Sequence, residues 1–265
     1  MDAIEKIAFI GAGNVATHLA MAFAASGKQI IQIYSRTVKS AQILAAKLNC
    51  EYTNNFDQIT DHADLYIFSV PDDTLESFIN SFPYQNKFLA HTAGSIAMEV
   101  LATKSNRTGV FYPLQTFSKN VEIDIRKVPV CVEANNPEDA LRLEKLASHI
   151  SDNVCLIDSA TRETLHIAAV FACNFTNHLF VHAETILKQR GITFSMLLPL
   201  ITETIRKTSL GKPSDFQTGP AVRGDKKTLD KHIVKLEQLP ESQKIYTFIS
   251  ESIINLHKKK PDNIS

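Results

Sequence analysis

The short run Lys6-Ile7-Ala8-Phe9-Ile10 leads straight into Gly11-Ala12-Gly13-Asn14-Val15-Ala16 and then into an alanine-rich helical stretch. This is G-x-G-x-x-A, set where a strand turns into a helix. Gly11 permits the tight turn, Gly13 lets a pyrophosphate approach the backbone, and the small Ala16 lets helix and strand pack closely. The helix N-terminus adds unbonded N–H groups and a positive dipole end. The run therefore predicts a dinucleotide site, with Gly11, Gly13, Asn14 and Val15 against the cofactor, rather than an ordinary strand–helix turn.

The second strand indicates which dinucleotide. Gln29-Ile30-Ile31-Gln32-Ile33-Tyr34 reads as a buried strand and ends in Ser35-Arg36-Thr37. An Asp or Glu at that place would hold the ribose 2′-hydroxyl of NAD. Hydroxyls and a guanidinium stand there instead, and they suit a 2′-phosphate through charge-assisted, fork-shaped hydrogen bonds. Ser35, Arg36 and Thr37 are thus read as cofactor-binding and the cofactor as NADP(H), with Lys39 adding charge nearby. The alternative is that Arg36 is a solvated loop residue.

The rest of the chain narrows the class. Its 265 residues carry zero formal net charge, and the first basic run is the terminal Lys258-Lys259-Lys260, read as a solvated helix end. That disfavours a nucleic-acid or anionic-membrane partner. No leader pattern opens the chain, and no stretch reads as an uncharged membrane span. Cys50, Cys131, Cys155 and Cys173 are scattered and lack C-x-x-C spacing, so they read as reduced core residues. A cytoplasmic enzyme acting on a small molecule is the expectation.

Strand and helix patterns alternate as far as Ile157. After the second strand come a helix from Val38 to Leu48, a strand from Ala63 to Val70, and a helix to about Phe82 capped by Asp72 or Asp73. Short strands follow at Lys87–Ala90, Gly109–Tyr112, Val128–Val132 and Val154–Ile157, with a helix from Pro137 to about Ile150. This predicts an α/β fold, a doubly wound, mostly parallel sheet over residues 1–157. Residues 158–265 read as all-helical, opening with one helix from Ser159 to about Arg190 that would run roughly 45 Å. Further helices are expected at about Phe194–Leu210, Asp225–Leu236 and Ser242–Lys258. So long an apolar helix needs covering, which predicts a homodimer through the C-terminal helices.

In an open α/β sheet, ligands gather at the carboxyl ends of the strands. Ser69, Val70 and Pro71 are placed beside the cofactor ribose, and His91 and Thr92 near the nicotinamide. Gly94 allows close backbone approach there, and Ser95 caps a helix or holds a substrate oxygen. A third strand end, Phe111–Thr116, offers an aromatic, a proline and the Gln115 amide for substrate. On the long helix His166, Val170, Asn174, His178 and His182 recur every four residues, so His166 and Asn174 can share a face. They are read as pocket residues, since buried polar groups need partners or a function. Leu179 occupies the place of the Glu in an H-E-x-x-H site, so no metal is expected. Thr218–Asp225 is the last informative loop. Arg223 and Asp225 are read as substrate-binding, Asp225 being also placed to cap the next helix, with His232 pointing back toward the same pocket.

Taken together, Gly11-x-Gly13-Asn14-x-Ala16, Ser35-Arg36, Ser69-Val70-Pro71-Asp72, His91-Thr92-x-Gly94-Ser95, Pro113-Leu114-Gln115, His166…Asn174 and Gly219-Pro220-x-x-Arg223-Gly224-Asp225 resemble one family. It is the NADP oxidoreductases that join a Rossmann-like domain to a helical C-terminal domain of unknown function. The resemblance covers essentially the whole chain and extends in architecture to pyrroline-5-carboxylate reductase, deazaflavin-dependent NADP reductases and β-hydroxyacid dehydrogenases. It implies an active site between domains and a helical domain that dimerises. β-Hydroxyacid dehydrogenases carry a catalytic lysine four residues before an asparagine of the long helix. If Asn174 matches that asparagine, Val170 stands where the lysine would be, and His166, one turn earlier, is the expected acid. The resulting expectation is NADPH-dependent reduction of a small carbonyl or imine, with His166 and Asn174 catalytic. Its rivals are deazaflavin–NADP hydride exchange and a non-catalytic NADP-binding sensor.

Overall fold

The first strand, β1 (Lys6–Ile10), is buried from Ile7 onward, as befits a parallel strand covered on both faces. The computed structural model describes residues 3–258, and the chain divides into two units, Met1–Cys173 and Asn174–Ser265. In the first unit β1 is followed by α1 (Asn14–Ala25), β2 (Gln29–Tyr34), α2 (Val38–Leu48), β3 (Glu51–Thr53), β4 (Leu65–Phe68), α3 (Asp72–Ser81), β5 (Leu89–His91), β6 (Thr108–Pro113), β7 (Val130–Ala134), α4 (Pro137–Ser148) and β8 (Val154–Leu156). The strands form one eight-stranded sheet in the order β3-β2-β1-β4-β5-β6-β7-β8. All neighbours are parallel except β6 and β7.

The strand order reverses between β1 and β4, and a crevice outside the carboxyl ends of those strands is where ligands bind such sheets. Gly11 follows one strand and Ser69 the other. Each sheet face has its own core. Leu19, Phe23, Leu44 and Leu143 pack on one side, and Tyr66, Phe68, Phe78 and Phe82 on the other. Full burial of such side chains stabilises the fold by about 1.5–3 kcal/mol each. The mid-strand Gln32 is accommodated because its amide donates to Gln58 O and accepts from Thr60 N, both at 2.9 Å.

The structure shortens the expected strand Ala63–Val70 to Leu65–Phe68 and adds β3, which has only three residues. Pro71, not Asp72 or Asp73, is the N-cap of α3, and its carbonyl is taken by both the amide and the hydroxyl of Thr74. Helix α4 starts as its sequence suggests, with Asn136 accepting from Asp139 N and Pro137 in the first turn.

The run Ser159–Lys188 is helical but not regular. It comprises α5 (Ser159–Ala169), a π-helical segment Val170–Phe175, and α6 (Thr176–Lys188). The π turn changes the phase of every residue after it, so the four-residue stripe from His166 to His182 does not continue through it. By length and composition this run is apolar enough to cross a membrane, against the expectation of no such stretch. It also makes polar contacts: Arg162 pairs with Glu133, and His182 bonds to Ser242. The second unit continues with α7 (Leu198–Thr208), α8 (Lys226–Lys235) and α9 (Pro240–Lys258), and Lys259 and Lys260 lie outside the described residues. The cysteines are free; Cys131 is buried, with its Sγ 3.5 Å from that of Cys155, whereas Cys173 is exposed rather than part of a core.

Asp139 is the polar hinge between α4 and β6. Nearly fully buried, it accepts from the Arg107 guanidinium and from Asn136, and pairs with Arg142. Burial pushes its pKa up, but the Arg107 and Asn136 hydrogen bonds and the two arginine charges outweigh this and hold it below the usual value. A carboxylate depressed in the folded state gives its full stabilisation above the unfolded pKa of about 4 and loses it as pH falls below that value. Asp139→Ala is expected to cost about 2–3 kcal/mol at pH 7, less than for a fully enclosed pair because Arg107 is 39% exposed. Urea unfolding at pH 7 and pH 3 checks both points, since the gap between the two proteins should narrow in acid.

Candidate functional site

The glycine loop is shaped by contact with β4. Gly11 has φ +129°, and a Cβ there would lie 2.1 Å from the Ser69 carbonyl oxygen, so no side chain fits. Its amide donates to Tyr34 O at 2.8 Å, and the Ser69 amide donates to Ile10 O at 2.8 Å. Gly13 is the N-cap of α1 and faces open space, with no heavy atom within 4 Å of where a Cβ would stand. No side chain caps α1 and no acid lies in its first turn. Its first N–H groups and its positive dipole end are therefore available to an anion. Val15 is half-buried, and Ala16 is fully buried against the sheet. The Asn14 side chain does not point into that space: its amide donates to Phe117 O at 2.9 Å.

At the end of β2, Arg36 is exposed, and its guanidinium lies over the Phe78 ring, 5.5 Å from the centroid. The ring holds one face and leaves the donors at the edge for a ligand. Ser35 Oγ accepts from Thr37 N at 3.4 Å, and Thr37 precedes α2 without a side-chain cap bond.

The ends of β4 and β5 are joined. Thr92 donates its amide to Phe68 O at 3.0 Å and its hydroxyl to Ser69 Oγ at 3.2 Å. Val70 is half-buried and Pro71 exposed. The exposed Ser95 donates its hydroxyl to the Asp72 carboxylate. His91 is corrected as a cofactor contact, because it is wholly enclosed and its Nδ1 accepts from Ala93 N at 3.1 Å. Burial, with the charge of Arg162, drives its pKa down to about 3 against the opposing Ala97 carbonyl, so the ring stays neutral and shapes the loop from within.

His166, on α5, meets that loop. Its Nδ1 lies 3.0 Å from the Tyr112 hydroxyl. A Cβ on Gly94 would stand 2.5 Å from Nδ1 and 3.0 Å from Tyr112 Cε2, so only glycine admits this pair. Burial pushes the Tyr112 phenol up to about 12, helped by Cys131 and Asp72 and opposed by Arg162. Beneath the pair, the buried Arg162 is bound to Glu133 and donates to Ile96 O and Ser159 Oγ. Glu133 in turn accepts from the amide and hydroxyl of Ser159. Arg162 and Glu133 were not singled out from the sequence, and Tyr112 only as part of the strand end Phe111–Thr116. A charged residue within the apolar strand Val130–Ala134 was the available signal, since a buried charge demands a partner. Gln115 is exposed, and its side-chain oxygen accepts from Thr116 N at 2.8 Å.

The remaining predicted residues belong to the second unit. Asn174 lies exposed in the π-helical segment, and Arg223 is exposed. Asp225 is corrected as a substrate ligand, because its carboxylate caps α8, accepting from Thr228 N at 3.1 Å and Thr228 Oγ1 at 2.7 Å. Those bonds hold it below the usual carboxylate range. His232 does not turn toward Asp225 but sits 2.8 Å from the Tyr246 hydroxyl. His178 and His182 face each other, Nε2 to Nε2 at 3.1 Å, and among the described residues no cluster of three metal-binding side chains occurs. A mostly apolar cavity of about 310 Å³ is lined by Leu179, Ile186, Leu229, Ile245 and Ile249, with His182 and Ser242 at its wall.

Comparison with known proteins places this geometry. Residues 6–93 match the family described as NADP oxidoreductase coenzyme F420-dependent, and residues 128–253 match a domain of unknown function, DUF2520. A crystal structure of a "putative NADP oxidoreductase" from Bacteroides fragilis is 42% identical, with 95% of this chain and 98% of that one covered and a TM-score of 0.90. An imine reductase from Myxococcus stipitatus in complex with NADP+ is 13% identical over 96% of this chain and 93% of that one, with a TM-score of 0.69. A reductive aminase from Aspergillus terreus in complex with NADPH and ethyl-5-oxohexanoate is 15% identical over 97% and 92%, with a TM-score of 0.66. These last two share the fold. Among curated proteins no match is found. With glycine loop, strand order and near-complete coverage of the Bacteroides protein in agreement, the chain belongs to the NADP oxidoreductase family, whose members pair a Rossmann-like domain with a helical one.

Proposed function

We propose that this enzyme is an NADPH-dependent reductase of a small carbonyl or imine compound, with His166 as its proton donor. The observation that carries the reading is the His166–Tyr112 contact at a strand end, beside the loop that Gly94 keeps open. A dinucleotide fits the residues present: Gly13 and Val15 border an open, uncapped helix N-terminus, and Arg36 offers free donors where a 2′-phosphate would lie. Ser69, Val70, Pro71 and Thr92 would line its ribose and nicotinamide. When bound, NADPH supplies the hydride for the unsaturated carbon.

The chain's own groups then handle the proton. Tyr112, held as a neutral phenol, accepts a hydrogen bond from Nδ1–H of the His166 imidazolium, whose second proton stands on Nε2 and leaves a neutral ring when given up. Nε2 gives that proton to the carbonyl oxygen or imine nitrogen, and solvent restores it. Ser95, oriented by Asp72, holds the reacting group. Imine chemistry is favoured by likeness of fold to an imine reductase and a reductive aminase. The F420-dependent description attaches to residues 6–93, within the region assigned to the dinucleotide, so deazaflavin exchange gains no separate support.

We also propose that the helical region pairs with a second copy. Leu200, Ile205, Phe248 and Leu256 are 62–74% exposed, a load of apolar surface that isolated soluble domains rarely carry. Light scattering should give about twice 29.5 kDa, and Phe248→Glu should shift the protein toward monomer; a monomeric wild type would refute the pairing.

His166→Ala is expected to lower turnover about 10²–10⁴-fold with NADPH affinity unchanged, as for loss of a general acid. Full activity would remove His166 from its role, and binding without any turnover in the wild type would favour the sensor. Gly94→Ala should cost about 100-fold by displacing the imidazole, measured as turnover alongside an NADPH titration that stays at the wild-type value.

A further inference from the structure

The segment between β6 and β7 crosses the glycine loop and is held there by side chains. The Asn14 amide donates to Phe117 O at 2.9 Å, His18 Nε2 donates to Ser118 O at 3.0 Å, and the Lys119 ammonium donates to Ala12 O at 2.8 Å. The His18 and Phe117 rings meet with centroids 5.0 Å apart. In the first two bonds the segment contributes only its backbone. Lys119 alone sends a side chain to the glycine loop.

That ammonium has the wrong sign for its surroundings. Ala12 immediately precedes Gly13, the N-cap of α1, and α1 has neither an acid in its first turn nor a side-chain cap. A cation beside the positive end of a helix dipole is unfavourable unless an anion joins it. Among the described residues lysine ion pairs are made by Lys28, Lys127, Lys188, Lys207 and Lys244, not by Lys119. The Ala12 carbonyl takes one of its three N–H donors, which leaves two. The space over the neighbouring Gly13 is open. Cationic donor, uncapped N–H groups and open volume thus converge on one point.

We propose that Lys119 is a phosphate ligand of the enzyme, its ammonium pairing with the pyrophosphate of a dinucleotide seated over Gly13. This rests on the dinucleotide reading above and divides the work between two cations. Lys119 serves the pyrophosphate, common to NADPH and NADH, and Arg36 serves the 2′-phosphate, present only in NADPH.

The test is equilibrium titration of the full chain with NADPH and with NADH at two salt concentrations. Lys119→Gln should weaken both dinucleotides about tenfold and by the same factor, with a shallower salt dependence, whereas Lys119→Arg should keep most of the affinity. Arg36→Gln should weaken NADPH far more than NADH. In the wild type, saturating NADPH should slow tryptic cleavage after Lys119, a readout that needs no variant. Unchanged affinity in Lys119→Gln, unchanged cleavage, or a loss confined to NADPH would each overturn the assignment. Tight NADPH binding in that same variant would leave the dinucleotide reading intact, while a wild type that binds neither dinucleotide would bring both down.

Discussion

The buried ion pair of Arg162 and Glu133 is the constraint on which the candidate site depends. Arg162 is 1% exposed, and its guanidinium reaches β7 through Glu133, the strand-end loop through Ile96 O, and the start of α5 through Ser159. Desolvating such a pair offsets most of its Coulombic gain, so it adds little net stability. Removing either partner would leave the other charge stranded, which is far more costly. Its value lies in geometry. Three chain segments far apart in sequence share one guanidinium, and the Gly94–Tyr112–His166 contact is built directly on them.

The same charge sets the electrostatics above it. It acts with burial to keep His91 neutral, and it opposes the burial that raises the Tyr112 phenol. The positive charges that suit phosphates lie elsewhere, at Arg36 and Lys119, near the uncapped end of α1. Anion binding and proton transfer are thus assigned to different strand ends, and a phosphate at one does not have to be balanced at the other.

Much of this was legible in the sequence because it is written locally. The glycine loop, the apolar runs of β1, β2 and β4, and the helical periods of α1, α2 and α4 each depend on neighbours a few residues away. Strand β3 was missed because three residues are too few to show alternation. The π segment was missed because Val170–Phe175 has no composition that separates it from regular helix, and a helical wheel assumes a constant pitch. Asp225 could be read as cap or ligand, and only the Thr228 contacts decide for the cap. Tyr112 and His166 are 54 positions apart, and Arg162 and Glu133 29. Such pairs are set by strand order and register, which no local pattern contains.

The placement of the acid has a structural consequence. A lysine at position 170 would sit on the first residue of the π segment, where the helix changes pitch. His166 sits four residues earlier, on regular α5, and its imidazole is fixed by Tyr112 on β6 and by the backbone at Gly94. Every group that orients it belongs to the same unit as the glycine loop. Rearrangement of the helical residues after Cys173 would therefore leave the proposed proton donor and the dinucleotide cradle in register with one another.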